Sequence, residues 1–385
     1  MEAAASHGRD WSSLPADVLV QILDHLRWSS HPSFDLVCRQ WQSARAFSPF
    51  YPAWITPLLL NATDVGATNL RYYSPYYHKN FETASTLRTP DVKIACATGQ
   101  HLALCSEDLI IDAQLLSGDV HELPPTKNAM FDSVVYDGVR TMFGVDTQFG
   151  MLGIARCIRD NTVDAWGDWD FASSDYDQPS FLTSQNCNPV PRDGFLYLLG
   201  KDGALAVYDD SRHDQGFNIL EKPQGFMFDH KHSYLVKSDR GELMAVLIGH
   251  RGTPVNVVKL NEHTMQWEKM ENLEGRALFT GTLTTTVKKT NIKWMQNKIF
   301  LPRLYDWPQI VHVDLVRRED DVAFVPKDGH ADTTVKHEDF RAKVWSYELG
   351  QPQEAMEFWG TERVNYGIWI DFSTYQMISL VRYIS

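Results

Sequence analysis

Cysteine is scarce in this chain: five residues, Cys38, Cys96, Cys105, Cys157 and Cys187, odd in number, scattered and without a CxxC pair. That pattern excludes a disulfide framework and a zinc ribbon, and it fits a reducing compartment. Positive charge is also short, with 36 lysines and arginines against 49 aspartates and glutamates and a net charge of −13. A nucleic-acid-binding protein would show a basic stripe instead. No apolar run approaches the ~20 residues that a membrane helix needs. The first ten residues mix acidic and basic groups with no apolar segment, so no signal peptide is expected there. These absences predict a soluble protein of the cytosol or nucleus and do not choose between them. The lone sequon Asn61-Ala62-Thr63 is of the kind that chance produces. No GxSxG elbow, P-loop, GxGxxG or HExxH occurs, so no catalytic residue and no cofactor is expected.

What the chain has is apolar and aromatic substance, 43% and 12% of its 385 residues, enough for a small module and one large domain. The front, WSSLPADVLVQILDHLRWSSHPSFDLVCRQWQSARAF (residues 11 to 47), reads as two short amphipathic helices. Pro15 suits a first helical turn, where its missing N–H has no partner to lose. Asp17 places negative charge at the positive end of the helix dipole. Val18, Leu19, Ile22, Leu23 and Leu26 fall at helical spacing and make one apolar stripe. Pro32 is expected to open a second helix carrying Phe34, Val37, Cys38 and Trp41 on one side. About forty residues are too few for an independent core, so the surplus apolar face needs a partner.

These residues resemble an F-box. That family's pattern is a Leu-Pro pair, a Leu-x-x-Ile-Leu-x-x-Leu helix and a closing Val-Cys-basic-x-Trp. Here they are Leu14-Pro15, then Leu19, Ile22, Leu23 and Leu26, then Val37-Cys38-Arg39-Gln40-Trp41, at the usual separation. One departure is visible, in the middle, where the usual leucines give way to Trp28-Ser-Ser-His-Pro-Ser-Phe34.

Residues 48 to 60 (SPFYPAWITPLLL) read as a packed connector, since prolines and large apolar residues replace glycine and serine. From about residue 90 the grammar is that of strands. Short β-branched and aromatic runs alternate with turn clusters: Lys93 to Cys96, His101 to Cys105, Leu109 to Asp112, then Met130 to Tyr136 ending on Asp137-Gly138. Phe195 to Leu199, a Gly-Lys-Asp-Gly turn and Ala204 to Tyr208 make a hairpin. Ser233 to Val236, Glu242 to Ile248, Val255 to Leu260, Lys298 to Leu301, Gln309 to Val313, Lys343 to Tyr347 and Met356 to Trp359 continue the series. Several clusters end alike, in Val-Tyr-Asp209, Lys-Leu-Asn261 and His-Val-Asp314, at intervals of about 40 to 50 residues, the length of a propeller blade. The fold class expected is mainly β, a small all-α module followed by a β-propeller of about five to seven blades. The expected domains are the helical module at 11–50, a connector packed on the propeller at 51–90, and the propeller at 91–385.

Within the second half, Tyr234-Leu-Val-Lys-Ser-Asp-Arg-Gly-Glu-Leu243 and Leu273-Glu-Gly-Arg-Ala-Leu-Phe279 carry a second resemblance. They are similar to the kelch-like C-terminal domain of unknown function that follows the F-box in a large plant family. Glu274 is a small departure at the Arg-Ala-Leu-Phe turn. The likeness is clearest from about 232 to 304.

The remaining polar groups carry weaker signals. His230-Lys-His232 and His312-Val-Asp314 each place two possible ligands on a strand, but a metal needs three or four that converge. Cys96, His101 and Cys105 make a ligand set on paper, yet their apolar flanks mark the two cysteines as small core residues. Asp168, Asp170, Asp175 and Asp177 lie in a solvated acidic loop. Arg276 is expected to be structural, pairing with a carboxylate such as Glu274. Trp166, Trp169, Trp267, Trp294, Trp307, Trp345, Trp359 and Trp369 are expected mostly as packing between blades.

Together the two resemblances imply a substrate receptor of an SCF-type cullin-RING ubiquitin ligase. The F-box would dock a Skp-type adaptor, and the propeller would hold a target protein. The adaptor-binding residues implied are Leu14, Pro15, Val18, Leu19, Ile22, Leu23, Leu26, Val37, Cys38 and Trp41. Such a chain does no bond chemistry itself; it raises the effective concentration of a target lysine near a charged thioester. Two alternatives stay open on the residues. One is a propeller binding protein or enzyme whose N-terminal helices do not act in a ligase. The other is an adaptor-bound scaffold that works outside one.

Overall fold

Leu243–Ile248 (LMAVLI) is buried along its whole length, as are Leu58–Asn61 and Ser133–Tyr136. Strands apolar on both faces need cover on both, which a lone sheet with one wet face does not give. The computed structural model describes residues 11–25, 34, 37–44, 56–61, 69–76, 79–84, 93–99, 101–106, 109–115, 119–126, 131–147, 150–160, 162, 165–172, 180–184, 189–226, 230, 232–248, 255–280, 284–302, 310–318, 321–327 and 367–371. Among these residues the strands form a six-bladed propeller.

Blade 1 is Leu58–Asn61, Asn69–Ser74 and Lys79–Ala84, completed by Gly367–Ile370 from the far end of the chain. Its closing register pairs Leu58 with Ile370 and Asn61 with Gly367. Blade 2 is the meander Lys93–Thr98, His101–Ser106, Leu109–Gln114 and Val120–Glu122. Blade 3 is Ser133–Tyr136, Thr141–Asp146 and Gly153–Asp160, with Ala165–Trp166 and Asp170–Phe171 both paired to its third strand. Blade 4 is Val190–Arg192, Phe195–Leu199, Leu205–Asp209 and Phe217–Ile219. Blade 5 is His232–Lys237, Leu243–Ile248, Val255–Asn261 and Gln266–Lys269. Blade 6 holds Arg276–Phe279, Thr286–Lys289, Lys298–Pro302, Ile310–Arg318 and Asp321–Lys327, its first strand parallel to its third. A single pair, Val255 with Phe324, makes blades 5 and 6 one continuous sheet.

The apolar core is divided among the seams. One buried cluster lies between each pair of neighbouring blades, from 1 and 2 through 5 and 6. A sixth closes the ring with Leu59 and Trp369 of blade 1 against Phe279 and Phe300 of blade 6. Successive residues of one strand serve opposite seams: Leu58 and Leu60 face blade 2, and Leu59 between them faces blade 6. Period-two alternation therefore survives as a choice of neighbour, with both sides apolar.

Within the span expected as a connector, Leu58–Asn61, Asn69–Ser74 and Lys79–Ala84 build three strands of blade 1. Asn69–Ser74 (NLRYYS) and Lys79–Ala84 (KNFETA) are too polar to read as core strands, and their fourth partner is remote in sequence. Asn61 is buried within that blade at 4% exposure, so its sequon offers no accessible acceptor.

Two of the three expected repeat endings, Asp209 and Asn261, have a local cause, whereas Asp314 lies inside the strand Ile310–Arg318 and ends nothing. Asp209 Oδ1 accepts from the N–H and hydroxyl of Ser211, and Asn261 Oδ1 accepts from the N–H groups of His263 and Thr264. Asp160 does the same for Thr162 at the end of the third strand of blade 3. Each side chain starts the turn that reverses the chain. The expected Asp137-Gly138 hairpin is present, with Asp137 Oδ1 accepting three backbone N–H groups and Gly138 at φ 85°.

Candidate functional site

Two short helices at the front, α1 (Ala16–His25) and α2 (Arg39–Ala44), make the candidate site. Pro15 precedes α1, and its carbonyl accepts the N–H of Leu19 at 3.1 Å. Leu19 and Leu23 bury fully with Phe34 and Ala44, and Leu14, Ile22 and Trp41 pack against that group. The ring of Trp41 lies 4.7 Å from that of Phe34. Two donors from α2 hold the segment before α1: Gln40 Nε2 donates to the Leu14 carbonyl at 2.7 Å, and Trp41 Nε1 donates to the Trp11 carbonyl at 2.9 Å.

The implied adaptor residues therefore divide. Leu19 and Leu23 are internal, at 0% and 1% exposure, while Val37 is 52% exposed and Pro15 is also outside. Leu14, Val18, Ile22, Cys38 and Trp41 are half-buried. Leu26 lies outside the described residues, as do Pro32 and most of the Trp28–Phe34 stretch. The expectation of one helix running through Val37 and Cys38 is corrected: the chain bends there and α2 begins at Arg39. The bend accompanies the tilted packing of Phe34 against Trp41 in one small core, and β-branched Val37 has little helix preference to resist it. Trp11, 56% exposed and outside the motif, adds to the open apolar surface. Burying one leucine contributes roughly 2 kcal/mol, so four buried residues barely offset the ordering of so short a hairpin. Its exposed apolar side chains call for further cover.

Several of the propeller's described charged groups join neighbouring blades. Between blades 2 and 3, fully buried Asp112 takes His101 Nδ1 at 2.8 Å and Arg159 Nη1 at 3.6 Å, and Arg159 also reaches His121 at 3.3 Å. Burial, then the Asp112 charge, push the Tyr136 phenol there well above its ordinary value. Between blades 3 and 4, Arg156 binds Asp210 at 2.8 Å and Asp170 at 3.2 Å, so at least one member of the acidic loop is a structural partner. Asp175 and Asp177 lie outside the described residues. Arg192 pairs with Glu262 at 2.6 Å across blades 4 and 5, and Lys288 with Asp371 at 2.8 Å across blades 6 and 1.

Arg276 crosses from blade 6 to blade 5. Its Nε donates to Asp239 at 2.6 Å and its Nη1 to Glu274 at 3.0 Å, with Arg240 on the same carboxylate at 2.7 Å. Burial opposes its charge, but the two carboxylates outweigh that and hold the guanidinium above its usual value. The Arg276–Glu274 pair is the one expected from the sequence; Asp239 comes from another blade, and no spacing signals it.

Three tryptophans tie blades through their indole N–H. Trp169 donates to the Pro124 carbonyl, Trp267 to that of Gly203 and Trp369 to that of Thr280. Trp166 is half-buried beneath Arg159, and Trp294 is 39% exposed. Trp307, Trp345 and Trp359 lie outside the described residues. Cys96 is buried and Cys105 packs against the same cluster, while His101 is engaged by Asp112. Burial holds the Cys96 thiol up at about 11 and the Cys157 thiol at about 12. Among the described residues no three His, Cys, Asp or Glu side chains are placed to hold a metal. His230 packs its ring on Phe226, and the side chains of His312 and Asp314 lie outside the described part.

Comparison with known proteins bears on the propeller. The family model described as KIB1-4 beta-propeller matches residues 73–331, well over half of the chain. No curated protein matches it. Among solved structures, virginiamycin B lyase from Staphylococcus aureus is 13% identical, covering 69% of this chain and 87% of its own at a TM-score of 0.36. TolB from Acinetobacter baumannii is 10% identical, covering 75% and 70%, at a TM-score of 0.38. Superpositions this loose carry no conclusion about this chain.

Proposed function

The chain belongs to the KIB1-4 beta-propeller family, and from that premise we propose that it is the substrate-recognition subunit of an SCF-type cullin-RING ubiquitin ligase. The N-terminal hairpin is an F-box that docks a Skp-type adaptor, and the propeller binds a target protein. The observation that carries the reading is the division within the hairpin. Leu19 and Leu23 make its small core, while Pro15 and Val37 stay exposed at positions where an F-box would meet its adaptor. The match to a beta-propeller family over residues 73–331 supports a protein-binding role for this domain. The proposed chain is non-catalytic, needs no cofactor and acts in the cytosol or nucleus.

Co-purification of the full chain with a Skp-type adaptor and cullin tests this, wild type beside the double variant Leu14→Ala/Pro15→Ala. Truncating central anchors of an interface typically costs about 2 kcal/mol or more, at least a tenfold loss of affinity. The expected result is a complex that forms and is lost in the variant while the propeller's thermal transition stays in place. Equal adaptor affinity for both proteins, or no complex with either, overturns the reading.

A further inference from the structure

We draw no further inference here: the strongest candidate, the exposed apolar side chains of Met151, Phe171 and Leu182 where blade 3 meets blade 4, carries nothing because nothing in the structure shows what covers them.

Discussion

Cys96 and Cys157 sit in one buried cluster between blades 2 and 3, with thiols held at about 11 and about 12 by burial. At pH 8 a thiol titrating near 11 is ionised to about one part in a thousand, and the thiolate is the reactive form. Alkylation of the native protein, mapped by mass spectrometry, should therefore spare both residues and label half-buried Cys38 faster than either. Labelling of Cys96 at the rate of Cys38 would contradict the packing described. Glu274 gives a prediction of opposite sign. The hydrogen bond from Arg276, then the charge of Arg240, hold its carboxyl below the ordinary range. A group whose folded value is depressed contributes stability that is present above its unfolded value and lost as pH falls through the folded one. Glu274→Gln should thus lower the urea midpoint at pH 7, and its gap from wild type should narrow as the pH drops below the carboxylate range. A gap independent of pH would assign the loss to the turn itself, where residue 274 holds φ 52°. The Glu274 partner was legible because it lies two residues from Arg276; Asp239 was not, because strand packing alone brings it there.

At the scale of elements, the seams carry both the apolar clusters and the polar ties, so a defect in one strand is felt by two blades. Trp267 shows the coupling. It is buried on Phe226 at a ring distance of 5.4 Å and donates its N–H to the Gly203 carbonyl at 2.9 Å. Gly203 itself sits at φ 84°, and a Cβ there would lie 2.3 Å from Phe226. Trp267→Phe keeps most of the ring contact but removes the donor and part of the volume. A cost of about 2 kcal/mol is expected, read as a lower denaturation midpoint at an unchanged m-value. No change in midpoint would show that the latch is dispensable. The hairpin of blade 4 was readable in sequence from its turn glycines and apolar flanks. The end of α2 towards Val37 was not, because amphipathic spacing continues through a bend that only the meeting of Phe34 and Trp41 explains.

The whole ring closes through residues that the family match leaves out. Residues 73–331 include neither Leu58–Asn61 nor Gly367–Ile370. Those strands bring Leu59, Ile368, Trp369 and Ile370 into two of the six seams at 0–1% exposure. Fully burying each large apolar side chain contributes roughly 2 kcal/mol, so removing four approaches the whole stability of a domain. A fragment of residues 73–331 should therefore lack the cooperative melt that a fragment of 55–375 shows by tryptophan fluorescence. Equal cooperativity in both would mean that the ring does not need its closing strand.

By itself the sequence determined the alphabet of this protein. The strand runs, the turns nucleated by Asp137, Asp209 and Asn261, and the helical stripe of Leu19 and Leu23 all depend on contacts within a few residues. The tertiary structure alone decided the rest: six blades, blade 1 assembled from both ends of the chain, and partners such as Asp239 for Arg276 or Asp371 for Lys288. Those depend on which faces meet when strands apolar on both sides seek cover. Many pairings satisfy that demand locally, and only the closed ring satisfies it for every strand at once.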